Sequence, residues 1–391
     1  MNNSGPQTQK VAKIYFTADW HLGNRQYGLI RRETDFYKAA INFIESVEPG
    51  SIIINAGDLF DSTRPKLEAI CALDKIKEIL SRKGCDMFYA PGNHDRIGSY
   101  EGKPVHWVDI FGSSICRMTG NKWHDCIYNM ECIGFPEMPK ESLIEALNNV
   151  VFNDNKKLKI LMLHASCKEF CSFASASALS IDEIPNLEKY NYVVIGDTHV
   201  HKCIKKGDTY IMSPGSIEMV SASEPFQKFC YAISCESLEP VDIKLNSRLC
   251  LGVTINTQEE LDKVIDEIRE NYYDKDPLLY VTAKAGIVGL NKIEELFDLN
   301  KAVVRYKIIS TDNANDISSV DNDLDQVLSI NDFVKSNLTI KSRTPEIRST
   351  LEALCSLDIG ADSVDDIINK FIDESKQKLK LKNETQNDNK L

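Results

Sequence analysis

No stretch of this 391-residue chain approaches the ~18 uninterrupted apolar residues of a membrane-spanning helix, so no transmembrane segment is expected. The opening MNNSGPQTQK has no apolar h-region, so no secretory signal is expected. The twelve cysteines include no C-x-x-C pair, which leaves zinc fingers and a disulfide framework without their usual spacing. Cys71, Cys132 and Cys230 lie in apolar runs and read as reduced core thiols of a cytosolic protein. Positive charge is also short: 46 Lys and Arg face 58 Asp and Glu, a net charge of -12. That excludes a chain coating nucleic acid with its whole surface. A local basic face, or a phosphate substrate bridged by metal ions, remains compatible with it.

What is present is typical of a globular protein, with 42% hydrophobic and 27% charged residues. The length suits roughly two to three domains and a full core without disulfides. Over residues 11–235, short apolar runs bounded by turn signals predict strands at 11–18, 51–56, 86–90, 132–135, 159–165, 192–196, 209–213 and 229–234. Several are continuously apolar, as in strands buried on both faces. Helical periodicity at 36–47 and 67–80 lies between some of them, which points to an α/β layered domain.

Residues 249–311 read as a smaller α/β unit of three strands and two helices. Its first helix opens on a T-x-x-E capping box, Thr257 and Glu260, and carries Leu261, Val264, Ile265 and Ile268 on one face. The expected layout is a disordered 1–10, a catalytic domain at 11–245, the small unit at 249–311, a linker with C-terminal helices at 312–375, and a disordered tail at 376–391.

Polar clusters end the strongest predicted strands. Asp19 and His21 follow the first, Gly57-Asp58-Leu59-Phe60-Asp61 the second, and Pro91-Gly92-Asn93-His94-Asp95 the third. His164 ends the run 159–164, and Gly196-Asp197-Thr198-His199-Val200-His201 ends the run 192–196. Of seven histidines, five fall in these clusters, which separates them from His106 and His124, read as ordinary surface or core residues. In open α/β sheets the carboxyl ends of the strands form the ligand-binding edge. Mixed oxygen and imidazole donors suit manganese, iron or zinc at a catalytic site. Asp58 is suited to bridge two ions about 3.5–4 Å apart, the spacing used in phosphate-ester hydrolysis.

In order and spacing these clusters resemble the calcineurin-type metallophosphoesterases, whose series is D-x-H, G-D, G-N-H-D/E, H and G-H-x-H. Within that family, D-W-H-L-G and G-D-L-F-D resemble the SbcD-type recombination and repair nucleases, including the subunit carried by T4-type phages. The resemblance implies a layered β-sandwich flanked by helices. The unit at 249–311 then falls where those nucleases carry a DNA-capping domain, and the terminal helices where they dock on an SbcC-type coiled-coil ATPase.

The implied function is a metal-dependent DNA exo- or endonuclease subunit of a recombination or repair complex. The alternative is another metallophosphoesterase, a protein phosphatase or cyclic-nucleotide phosphodiesterase. Implied partners are DNA, the ATPase and a second copy of the chain, with no membrane. Implied location is the cytoplasm, the host's if the chain is phage-encoded. The implied cofactor is a pair of divalent ions, manganese for preference.

Residue by residue, the resemblance gives Asp19 and His21 the first metal, Asp58 the bridge, and Asn93 and His164 the second metal. His94 faces the phosphate as proton donor or transition-state stabiliser, with Asp61 and Asp95 grouped beside it as catalytic residues. Asp61 either orients His94 or caps the following helix. The last motif departs from G-H-x-H: His199 is a ligand in either alignment, joined by Asp197 or by His201. Arg25, Arg31, Arg32, Arg64, Lys66, Arg96, Lys202, Lys205 and Lys206 are candidates for a phosphate-binding rim.

Overall fold

Alternate residues of the central strands point into two different cores, which explains why their sequences are apolar without alternation. In chain order the strands are β1 (Lys13–Thr17), β2 (Ile52–Asn55), β3 (Asp86–Tyr89), β4 (Arg96–Tyr100), β5 (Lys103–His106), β6 (Ile115–Arg117), β7 (His124–Cys126), β8 (Met130–Phe135) and β9 (Leu158–His164). There follow β10 (Tyr192–Gly196), β11 (Lys202–Lys206), β12 (Thr209–Ser213), β13 (Phe229–Ser234), β14 (Val241–Lys244), β15 (Cys250–Ile255), β16 (Leu278–Lys284) and β17 (Val303–Ile309). The helices are α1 (Ile30–Ser46), α2 (Leu67–Lys83), α3 (Lys140–Asn148), α4 (Gln258–Asn271) and α5 (Asn291–Glu295). This computed structural model describes residues 12–309 except 101–102, 107–114, 121, 154–156, 172–176, 273–274 and 298–302, with backbone alone for 96–100, 103–106 and 303. The expectations for 1–10, 312–375 and 376–391 lie outside the described residues.

Two six-stranded sheets form the catalytic region, in the orders β14-β13-β1-β2-β3-β6 and β11-β12-β10-β9-β8-β7. Strands β1, β2, β3 and β6 run parallel, as do β12, β10, β9 and β8, while β13 pairs antiparallel with β1 and β14, β11 with β12, and β7 with β8. The sheets bury one shared core: Ile14, Phe16, Ile52, Ile54 and Phe88 from the first meet Ile160, Met162, Tyr192 and Val194 from the second. The Phe16 and Tyr192 rings stack across it at 5.7 Å. The reverse face of the first sheet, with Tyr15, Ile53 and Met87, is covered by α1 and α2 through Phe43, Ile44, Leu73, Ile76 and Leu80. The reverse face of the second, with Leu161, Leu163, Val193 and Ile195, is covered by α3 and the segment around Ile181. The expected layered sandwich with flanking helices is therefore the observed fold. Among the described residues no helix is long and apolar enough to cross a membrane.

The small unit is a parallel three-stranded sheet, β15-β16-β17, with α4 and α5 packed on one face. Leu261, Ile265 and Ile268 are buried in that contact, as their helical spacing predicts. The capping box is displaced by one residue. Thr257 Oγ1 accepts from Glu260 N at 3.2 Å, but the Glu260 carboxylate accepts from Asn256 N, at 2.6 Å. The other face docks on the catalytic region. Gly252, Tyr280 and Arg305 form a row across it. A side chain at Gly252 would meet Phe226 at 2.8 Å, so the glycine admits that ring, which stacks on Tyr280 at 5.5 Å. Arg305 lies 3.8 Å over the Tyr27 ring.

A buried ionic network secures the same junction. Arg32 is 0% exposed, so it belongs to no phosphate rim. Its guanidinium donates to Asp35 at 2.6 Å, Glu218 at 3.1 Å, Met219 O at 3.1 Å and Gln26 at 2.9 Å. Arg248 bridges Asp35 and Asp276, and Asp276 also meets Arg31. Removing one partner of such a pair leaves buried charge unmatched. Arg32→Met is therefore expected to lower unfolding free energy by about 3–5 kcal/mol in urea denaturation. A loss of ~1 kcal/mol or less, as for a surface pair, would show that the network does not carry the junction.

Candidate metal centre

The carboxyl ends of β1, β2, β3, β9 and β10 open on one rim, and every predicted cluster lies there. The first two loops run side by side. Asp19 N donates to Gly57 O at 2.9 Å, Trp20 N and His21 N donate to Asp58 O at 2.8 and 3.0 Å, and Leu22 N donates to Leu59 O at 2.9 Å. Trp20 anchors its loop from below, fully buried, with Nε1 donating to Thr17 Oγ1 at 2.8 Å.

Backbone strain concentrates at this rim. Among the described residues, five of the ten non-glycine residues with positive φ are Asp19 (52°), His21 (44°), Asp58 (51°), Asp197 (92°) and His199 (56°). Left-handed backbone disfavours a Cβ and is tolerated best by Asp, Asn and His. Strain held in this way clusters at functional sites. It is also what turns these side chains inward together.

Their polar atoms converge closely. Asp19, His21 and His199 present ligand atoms all within 4.8 Å of one another, as do Asp19, Asp58 and His164. The Nε2 atoms of His21 and His199 face each other at 3.0 Å. Asp58 Oδ2 lies 3.4 Å from His164 Nε2 and 3.8 Å from His21 Nε2, while Asp58 Oδ1 accepts from His94 N at 3.1 Å. Asn93 Oδ1 stands 3.2 Å from His164 Nε2, and Asp197 Oδ1 3.9 Å from it. Asp197 N donates to Asp19 Oδ1 at 3.0 Å.

The hydrogen-bond roles of His164 test the fit to a cation. Its Nδ1 faces Ala56 O at 2.7 Å, and a carbonyl only accepts, so the proton sits on Nδ1. The Nε2 lone pair of the neutral ring then points among acceptor oxygens of Asp58, Asn93 and Asp197. Such a cluster is satisfied by a positive ion, a proton or a metal. The ionisation directions agree. Burial opposes charge on His164, but Asp58 and Asp19 outweigh it and hold the ring's pKa high. Burial likewise opposes charge on Asp58, and His164 outweighs it and holds that carboxyl low. Asp19 is pushed up by burial, against the pull of His199 and His164. The donor set of carboxylates, imidazoles and one amide fits divalent cations.

Other predicted residues lie elsewhere or act differently. His201 is turned away: Nδ1 donates to Pro214 O at 2.9 Å, Nε2 meets Asp242 at 3.0 Å, and the ring stacks on Tyr231 at 4.1 Å. The extended backbone that would align residues 197, 199 and 201 is broken by the positive φ at the first two. Asp61 does not cap a helix, since α2 begins at Leu67 after Lys66. Its Oδ1 accepts from Asn24 Nδ2 at 2.7 Å, and its backbone carbonyl accepts from His94 Nδ1 at 2.7 Å. Asp95 is buried behind the site, where its carboxylate accepts from Phe60 N at 3.0 Å and Gly92 N at 2.9 Å and ties two motif loops together. His124 sits beside Phe88 in β7, apart from the rim. Of the basic candidates, Lys66 pairs with Glu33, Lys206 with Asp182, and Lys202 donates to Glu169 O. The side chain of Arg96 lies outside the described residues.

One contact has no antecedent in the motif pattern. Glu224 Oε1 accepts from His199 Nδ1 at 3.1 Å. The two are 25 residues apart, with no spacing rule to join them; the Glu-Pro pair marks only a turn.

Close approach explains Gly92. A Cβ there would stand 2.0 Å from Asp58 Oδ1 and 2.7 Å from Asp58 N. Gly92→Ala is expected to cost about 1–3 kcal/mol in thermal denaturation by overpacking. Affinity for a divalent cation should fall with it, because the displaced group is the Asp58 carboxylate. Unchanged affinity by calorimetric titration would show that the loop adjusts without moving Asp58.

The calcineurin-like phosphoesterase family profile matches residues 12–203. The DNA double-strand break repair protein Mre11 of Methanococcus maripaludis is 27% identical over 342 residues, covering 81% of this chain and 86% of that protein. The protein of the same name from Saccharolobus solfataricus is 24% identical over 318 residues, covering 76% of this chain and 82% of that protein. Among solved structures, the calcineurin-like phosphoesterase YfkN from Bacillus subtilis aligns over 60% of this chain and 89% of its own, with a TM-score of 0.35 and 13% identity.

Proposed function

We propose, from the match of residues 12–203 to the calcineurin-like phosphoesterase family, that the chain is the nuclease subunit of a DNA repair or recombination complex. It hydrolyses DNA phosphodiester bonds with two divalent cations, manganese for preference. The observation that carries the metal reading is His164 Nε2 set among acceptor oxygens of Asp58, Asn93 and Asp197, a place for a positive ion. The DNA reading rests on relatives named for double-strand break repair that align over most of this chain.

In this reading Asp19, His21 and His199 would hold one ion. Asn93 and His164 would hold the other, with Asp197 Oδ1 3.9 Å from His164 Nε2 in the place considered for His201, and Asp58 would be shared. When bound, the cations neutralise phosphate charge and acidify a water for in-line attack. The remaining work falls to side chains. Asp61 O fixes the Nδ1 proton of His94, so Nε2 is the atom left to face the phosphate. Asp95 keeps the Asp58 and His94 loops in register from behind.

The small α/β unit caps the DNA, and residues 312–375 contact the coiled-coil ATPase. The chain pairs with a second copy of itself as a homodimer, and the complex works in the cytoplasm. A manganese-dependent assay on single-stranded DNA, a phosphopeptide and a cyclic nucleotide tests the proposal. Cleavage of DNA alone, abolished by chelation, is the expected result. Turnover confined to the phosphopeptide or the cyclic nucleotide would replace it with the phosphatase or phosphodiesterase reading.

A further inference from the structure

His21 and His199 meet through their Nε2 atoms at 3.0 Å, yet the two rings are held very differently. His21 Nδ1 lies 3.3 Å from Asp61 Oδ1 but makes no well-formed hydrogen bond. His199 Nδ1, by contrast, is bound by Glu224 Oε1 at 3.1 Å. A carboxylate in that position fixes the proton on Nδ1 and turns the Nε2 lone pair toward the centre.

Glu224 is itself immobilised. Oε1 also accepts from Ser221 N at 2.9 Å. Oε2 accepts from Ser216 Oγ at 2.9 Å, Val220 N at 3.2 Å and Lys228 Nζ at 2.6 Å. Its side chain is 7% exposed, so these bonds are little contested by water. The segment is anchored again two residues later, where Phe226 stacks on Tyr280 of the small unit. Without that carboxylate the ring has somewhere to go. A cavity of about 160 Å³, lined in part by His199, His201, Ser216 and Lys228, lies beside it.

We propose that Glu224 is a positioning residue of the metal centre: by accepting the Nδ1 proton of His199 it keeps Nε2 aimed at the ion shared with Asp19 and His21. The inference rests on the two-cation reading above and adds a residue to it. Carboxylates behind metal-bound histidines typically change affinity by about 10–100-fold when removed. The effect falls on one ion, because Glu224 touches His199 and none of Asn93, Asp58 or His164.

The experiment is a manganese titration of the full chain by calorimetry and electron paramagnetic resonance. It compares the unsubstituted protein with Glu224→Asp and Glu224→Ala. Glu224→Asp keeps the charge but withdraws it from His199 by one methylene, and serves if the alanine variant fails to fold. Expected is a loss of about 10–100-fold in one binding step, with the other step unchanged. The spin-coupled signal of a manganese pair should vanish at stoichiometric metal while a mononuclear signal remains. Equal weakening of both steps would make Glu224 a general structural residue, and unchanged binding would remove its role; either overturns the inference. Failure of the unsubstituted protein to bind two manganese ions would instead overturn the metal reading on which it stands.

Discussion

Asp58→Ala is expected to abolish DNA cleavage and metal binding together. Its carboxylate is the group whose Oδ2 lies between the two histidines His164 and His21, at 3.4 and 3.8 Å. In the two-cation reading, removing it would take a ligand from both ions, not from one. Two cations at the short separation used for phosphate esters also repel strongly, and a shared anion offsets that repulsion. Without it the second ion is opposed by the first. The expected titration shows no high-affinity manganese site and activity below detection. Asp58→Asn, which keeps the shape and the bond from His94 N, is expected to lose activity as well, since charge is what is missing. Tight binding of both ions by either variant would show that Asp19, common to both clusters, is the shared ligand and Asp58 is not.

The layered fold was legible because its central strands are buried on both faces, so Ile52-Ile53-Ile54 and Val193-Val194-Ile195 announce themselves by continuity. The edge strands were not. In β11, Lys202-Cys203-Ile204-Lys205-Lys206 pairs on one side only and carries no apolar signal. The clusters at the strand ends were legible as a group because spacing and order survive in sequence. What failed was anything set by distance through space. Arg32 looked like a rim cation, but its partner Glu218 lies 186 positions away, and helix α1 does not reveal which of its charged residues face inward. The choice between Asp197 and His201 turned on backbone conformation. An extended segment would have aligned them with His199, but with two left-handed residues Asp197 Oδ1 stands 3.9 Å from His164 Nε2 while His201 turns to Pro214 and Asp242. Glu224 was invisible for the same reason as Glu218: a buried carboxylate is chosen by the group it meets, not by its neighbours in the chain.

His94→Ala separates metal binding from chemistry. The His94 ring belongs to neither ligand cluster, and its backbone N–H, which holds Asp58 Oδ1, survives the substitution. Both ions should therefore bind as before, while cleavage falls by about 10²–10⁴-fold, the usual contribution of a positioned acid. Because Asp61 O engages Nδ1, the ring delivers a proton from Nε2 only when it carries both protons. That restricts it to two roles: protonating the leaving oxygen, or stabilising charge on the phosphoryl group. A substrate with a p-nitrophenol leaving group distinguishes them, since that group departs without protonation. If His94 protonates the leaving oxygen, the variant recovers most of its rate on the activated ester. If His94 stabilises phosphoryl charge, the deficit persists on both substrates. Cleavage of ordinary DNA by His94→Ala at the unsubstituted rate would remove the residue from the chemistry and leave the bound cations to act alone.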